Sequence, residues 1–204
     1  MNSRTARLKI AGPAGLLEVA VDSPAEAARG VAVVCHPHPQ HGGTLDNKVA
    51  QTLARAFLQL GYSAVRFNFR GVGASEGEWD HGVGEIEDAL AVIAAYRDPT
   101  LPLALAGFSF GAFIIAEAAQ RLPEGAKAER LVLVGPSTKE QQVAKVPDDT
   151  LVIHGEADDV VPLSATLDWA RPQVLPVLVV PGVGHFFHGQ LPLLKNSVVR
   201  AWHR

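Results

Sequence analysis

The sequence predicts an α/β fold in which a mostly parallel central sheet carries helices on both faces, all in one domain over residues 1–204. Three observations predict it. Short unbroken apolar runs at residues 31–35, 103–106, 131–134 and 177–180 have the length and apolar character of strands buried on both faces. Helix-length segments separate most of these runs, the alternation expected of a parallel sheet. The runs lead into glycine-rich or acidic loops, where such sheets hold their functional groups, beyond the C-terminal ends of the strands. A chain of 204 residues that is 48% hydrophobic suffices for one substantial core.

Taken in order, residues 16–21 read as an early strand. Residues 8–10 are a possible antiparallel partner across the Gly12-Pro13 turn. Strand 31–35 ends in a loop, and a helix over 48–60 shows helical spacing at Val49, Leu53, Ala56, Phe57 and Leu60 before Gly61 stops it. Residues 63–67 form the next strand. A glycine-rich loop over 71–84 leads to a helix from about residue 85 to Tyr96, ended by Asp98-Pro99. After strand 103–106 and the turn that follows it, an apolar helix continues over residues 112–116. Strands at 131–134, 151–154 and 177–180, with helices at about 163–169 and from Gln190 to the C-terminus, complete the chain. No internal repeat, low-complexity segment or interdomain linker stands out.

The formal charge of -3, from 18 basic and 21 acidic residues, gives none of the basic field that phosphate backbones attract, which argues against nucleic acid. No apolar stretch approaches the ~20 residues that span a bilayer, so no membrane insertion is expected. The N-terminus has positive charge but no hydrophobic segment behind it, since Gly12, Pro13 and Gly15 intervene. The single cysteine, Cys35, has no internal disulfide partner. A cytoplasmic location follows as the expectation, for a monomer or homodimer.

The most informative segment is Gly107-Phe108-Ser109-Phe110-Gly111. A strand that reverses directly into a helix brings backbone segments together, and glycines two positions either side of the serine remove the Cβ atoms that would clash. The serine hydroxyl then sits at an exposed tip. Free N–H groups and the positive end of a helix dipole lie beside it, where an oxyanion would form. A serine hydroxyl needs a base to take its proton and a carboxylate to orient that base. Downstream, strand 151–154 runs into an acidic loop containing Asp158 and Asp159, and strand 177–180 into the glycine-rich loop of His185. A parallel sheet would bring these loops to one edge.

From residue 31 onward the chain resembles the α/β-hydrolase superfamily, and within it the small, lidless members related to dienelactone hydrolases. The resemblance rests on Cys35-His36-Pro37-His38-Pro39 with Gly42-Gly43, on Phe67-Asn68-Phe69-Arg70-Gly71-Val72-Gly73-Ala74-Ser75, on the serine pentapeptide, on His154-Gly155-x-x-Asp158-x-x-Val161-Pro162, and on Gly184-His185. It implies the α/β-hydrolase fold and a triad of Ser109, His185 and Asp158, with Asp159 as the neighbour most easily confused with the acid. It also implies an oxyanion hole of two backbone N–H groups, those of Phe110 and of a residue in the 36–40 loop. Pro37 and Pro39 have no N–H. By alignment with the family's His-Gly-x loop His38 comes first, with Gln40 second. Dienelactone hydrolases use cysteine where this chain has Ser109, so their substrate does not carry over. Many relatives insert a cap where this chain has only residues 135–149, too few for more than a loop, so no cap domain is expected.

Other candidates have plainer readings. His36, His38 and His41 lack carboxylate or cysteine ligands at metal-binding spacing and read as loop-structuring residues, with no metal and no cofactor. Arg70 reads as a loop anchor to a carboxylate, His154 as a packed or hydrogen-bonded residue, and Cys35 as a small core residue. Gly71, Gly73 and Gly77 miss the dinucleotide spacing by one place. Phe186, Phe187, Trp79 and Phe108 read as acyl-pocket lining or as ordinary packing. The expectation is a serine hydrolase that cleaves an ester or thioester of a small acyl substrate at an open site. The rivals are acyl transfer by the same triad and a catalytically silent binding module.

Overall fold

A computed structural model describes residues 5–202. Eight strands form one sheet: β1 (Thr5–Gly12), β2 (Gly15–Asp22), β3 (Gly30–Cys35), β4 (Tyr62–Phe67), β5 (Leu103–Phe108), β6 (Arg130–Val134), β7 (Leu151–Gly155) and β8 (Val177–Val180). Their spatial order is β1-β2-β4-β3-β5-β6-β7-β8. β1 and β2 are antiparallel as expected, and β2 also pairs antiparallel with β4. All other pairs are parallel.

Five helices cover the sheet: α1 (Lys48–Gln59), α2 (Val83–Tyr96), α3 (Phe110–Arg121), α4 (Leu163–Ala170) and α5 (Leu191–Trp202). The strands alternate faces with period two, and the two core layers follow from that period. Val31, Val33, Leu103 and Leu105 pack with Ile86, Ile93 and Ile114 of α2 and α3. Ala32, Val34, Ala104 and Ala106 pack on the other face with Leu53, Phe57, Leu194 and Val198 of α1 and α5. Because both faces of the central strands are covered, β3 and β5 are buried throughout.

Most element ends fall within two residues of expectation, with β1 starting three residues earlier than expected at Thr5, and the shifts around the site have local causes. β5 runs two residues further, through Gly107 and Phe108, so the strand delivers Ser109 directly. α2 begins at Val83 because the Glu85 carboxylate reaches back to accept the N–H groups of Gly82, at 2.7 Å, and Asp80, at 2.9 Å. The last helix begins at Leu191, and residues 203–204 of the expected span lie outside the described residues. Between β6 and β7 there is neither helix nor strand, and no cap domain is evident. None of the described helices is long and apolar enough to cross a membrane.

Candidate active site

The turn from β5 into α3 is as tight as two glycines allow. A Cβ on Gly107 would lie 2.2 Å from the Gly111 carbonyl oxygen, and one on Gly111 would lie 2.4 Å from the carbonyl oxygens of both Cys35 and His36. Ser109 adopts φ 56° and ψ -119°, a region a non-glycine residue occupies only where its surroundings compel it. The compulsion comes from the next strand: Ser109 N–H donates to the Val134 carbonyl at 2.9 Å, and the Ser109 carbonyl accepts from Ala112 at 3.0 Å and from Ser137 at 3.3 Å.

His185 lies in the loop after β8. Its Nε2 is 3.0 Å from Ser109 Oγ, and its Nδ1 is 2.7 Å from Asp158 Oδ2. A carboxylate accepts, so Nδ1 carries the hydrogen and Nε2 is left as the acceptor for the serine hydroxyl. All three side chains are at least nine-tenths buried, at 7%, 7% and 2% exposure for Ser109, Asp158 and His185. Phe108 packs beneath the imidazole with ring centres 4.8 Å apart, and Phe186 meets it edge-on at 5.0 Å.

The acid and histidine loops are held together backbone to backbone. Ala157 N–H donates to the Val183 carbonyl at 3.0 Å and Glu156 N–H to Val180 at 2.9 Å. A Cβ on Gly155 would lie 2.2 Å from the Val183 oxygen, so only glycine permits that approach. Asp158 Oδ1 accepts the N–H groups of Val160, at 3.0 Å, and Val161, at 2.8 Å, which leaves Oδ2 for His185. Burial alone would raise the Asp158 pKa. The hydrogen bond and charge of His185, with the Val161 N–H, outweigh it and hold the carboxyl below the ordinary aspartate value. Asp159 is exposed and has no part in these bonds.

Of the two oxyanion-loop candidates, Gln40 donates its N–H to the His38 ring, at Nδ1, at 3.2 Å. The His38 N–H has no partner among the described residues, and neither does that of Phe110, the first residue of α3. The loop is fastened from the end of β4. His36 Nδ1 donates to the Pro37 carbonyl at 2.7 Å, while its Nε2 accepts the Phe69 N–H at 3.2 Å. Asn68 Oδ1 accepts the Leu45 N–H at 2.7 Å, and Arg66 donates to the Leu45 carbonyl at 2.7 Å. Burial depresses the His36 pKa to about 4 against the opposing pull of the Pro37 carbonyl, so both ring nitrogens serve backbone groups in the neutral form. His38 is also depressed, by burial and by the neighbouring His41, against Glu140. Among the described residues no group of three or more His, Cys, Asp or Glu converges as a metal site.

Ser109 opens on a small cleft of about 80 Å³ walled by Pro37, His38, Asn47, Val160 and Phe186. Val160, His185 and Phe186 also wall an adjoining groove of about 530 Å³ that runs past Asp159 and His188. Of the aromatic candidates, only Phe186 lines this space. Phe187 and Phe108 are fully buried, and Trp79 packs on His38 and Phe110 at 4.8 and 5.2 Å. Arg70 anchors its loop to Asp88 at 2.8 Å, as expected. Cys35 lies in the core. Sequence reasoning missed the anchors Asn68 and Arg66, although both lie within or beside the quoted Phe67–Ser75 segment.

Comparison with known proteins agrees with this fold. Residues 26–148 match the model of the family described as serine aminopeptidase, S33, a span that includes Ser109 and stops short of Asp158 and His185. A lidless α/β serine hydrolase from Xanthomonas campestris is 37% identical, with a TM-score of 0.88 over 100% of this chain and 96% of that one. An α/β serine hydrolase homologue from Coxiella burnetii is 40% identical, with a TM-score of 0.84 over 96% of each chain. An uncharacterised protein of Rickettsia prowazekii is 31% identical over 192 residues, 86% of this chain and 79% of its own length.

Proposed function

The chain belongs to the serine aminopeptidase S33 family of α/β hydrolases, and we propose that it cleaves an ester or thioester through an acyl-enzyme on Ser109. The observation that carries the reading is the continuous hydrogen-bonded line from Ser109 Oγ through both nitrogens of His185 to Asp158, at 3.0 and 2.7 Å. Ser109 Oγ attacks the acyl carbon while His185 Nε2 takes its proton. His185 then gives that proton to the departing oxygen or sulfur, and Asp158 keeps the imidazole in the required tautomer. The N–H groups of Phe110 and His38 receive the oxyanion, a role supported by their lack of any other partner. Water, activated by the same histidine, releases the acid. The uncovered groove supports a small acyl substrate with little steric selection on its other side.

A fluorophosphonate probe tests the chemistry, because it reports a nucleophilic serine without knowledge of the substrate. Wild-type protein labels and Ser109→Ala does not. Failure of the wild type to label, or equal labelling of the variant, overturns the proposal. A hydrolysis screen over short and long acyl esters, thioesters and aminoacyl arylamides then assigns the bond, since the family's description also names a peptidase.

A further inference from the structure

The proposed chemistry leaves one buried titratable side chain at the site unused. His154, next to last in β7, is 0% exposed, and its Nε2 lies 2.9 Å from the Val161 carbonyl oxygen. A carbonyl can only accept, so the hydrogen of this ring is on Nε2. The same nitrogen is 3.4 Å from Asp158 Oδ2, the oxygen that faces His185. Val161 closes the circuit, because its N–H donates to Asp158 Oδ1 at 2.8 Å. The geometry points to His154 as a positioning residue for the catalytic acid: its Nε2–H ties down the 158–161 turn and steadies Asp158 Oδ2 against His185. This inference rests on the proposed hydrolase reading and adds a fourth side chain to it.

A second observation supports the assignment. With Nε2 protonated, Nδ1 of the neutral ring is an acceptor, and it is buried without a hydrogen-bond partner among the described residues. An unsatisfied buried acceptor is costly, and an apolar side chain of similar size would avoid that cost. Packing alone therefore does not account for an imidazole here, whereas a need for one N–H at that point does. Burial, the largest influence, holds the ring's pKa below its ordinary value, with His185 acting in the same direction and the Val161 carbonyl and Asp158 against it. Neutrality matters to the role. A full charge on His154 would draw Asp158 away from His185 instead of steadying it.

His154→Gln and His154→Met separate positioning from packing, since glutamine can present an N–H near the position of Nε2 and methionine cannot. Turnover of p-nitrophenyl acetate is measured per active site counted by complete fluorophosphonate labelling, beside the thermal midpoint of each variant. The methionine variant is expected to lose about 10- to 100-fold in kcat, the cost usual for an outer partner that orients a catalytic group, with KM within about twofold. The glutamine variant recovers most of that kcat. Wild-type kcat per site in both variants overturns the inference, as does a glutamine variant no better than methionine. A wild type that neither labels nor hydrolyses is a separate failure, that of the proposed function itself.

Discussion

The serine turn and the loop over residues 36–47 both border the cleft at Ser109, yet they are held in different ways. Residues 107–111 are fixed by backbone: two glycines, a positive φ at Ser109 and its N–H bond to Val134. Residues 36–47 make backbone turns of their own, with Gly43 against the Pro37 carbonyl, but they are fastened to the neighbouring strand by side chains, His36 from inside the loop and Asn68 and Arg66 from the end of β4. The two regions meet where Gly111 passes under the carbonyls of Cys35 and His36, leaving no room for a Cβ. A backbone-held element tolerates almost no substitution at its own positions. A side-chain-held element can be loosened from a distance, in graded steps. The two proposed oxyanion donors, the N–H groups of Phe110 and His38, therefore stand one on a rigid element and one on an adjustable element.

The largest effect should come from the backbone-held side. Ser109→Ala is expected to lower kcat by about 10⁶-fold, the loss typical of removing a triad nucleophile, while urea unfolding shows stability within about 1 kcal/mol of wild type. Retained hydrolysis would remove the elbow from the chemistry and leave the comparison without its first half. Next in size is the acid. Asp158→Asn should cost about 10⁴-fold in kcat because the amide no longer holds the imidazole in its working tautomer, and Asp159→Asn should cost little, as that side chain is exposed. Steady-state kinetics on an activated ester decides between the two, and the reverse ranking would displace Asp158 from the triad.

Legibility in the sequence follows the same division. The elbow is readable because its requirements are local: glycines at fixed offsets, an apolar strand before and an apolar helix after. Asp158 is readable only through the resemblance, whose His-Gly-x-x-Asp motif singles it out from Asp159 in the loop after β7. The resemblance puts His38 before Gln40, but the folding of the Gln40 N–H back onto the His38 ring is a loop conformation that no residue pattern specifies. The anchors Asn68 and Arg66 act across 23 and 21 residues of sequence, so neither periodicity nor turn chemistry announces them. Strand order has the same limit. Period-two burial gives each strand its faces but does not place β4 between β2 and β3.

On the side-chain-held side, Asn68→Ala frees the Leu45 N–H and also removes the 2.7 Å bond to Glu18. Loosening one end of the loop is expected to lower kcat by about 10-fold, less than the 10²–10³ that deleting an oxyanion donor outright can cost. An unchanged kcat would mean that His36 and Arg66 hold the loop unaided, which sharpens the comparison to two anchors.

The last test probes His36 through pH. Its pKa is about 4 in the folded protein against an ordinary value of 6.5, so between these values the unfolded chain binds the proton and the folded one does not. Stability therefore falls as pH drops through this window, by about 2 kcal/mol at pH 5 from this group alone. In His36→Gln the difference in unfolding free energy between pH 7 and pH 5 should shrink by about that amount, as read by urea denaturation at both values. An undiminished difference would mean that the ring is not held neutral between the Pro37 carbonyl and the Phe69 N–H, and the loop would lose its internal anchor. Activity gives the complementary reading. Protonating His36 turns the acceptor for Phe69 into a donor, so the loop should release at its His36 end before the elbow, which has no comparable titrating support, is affected.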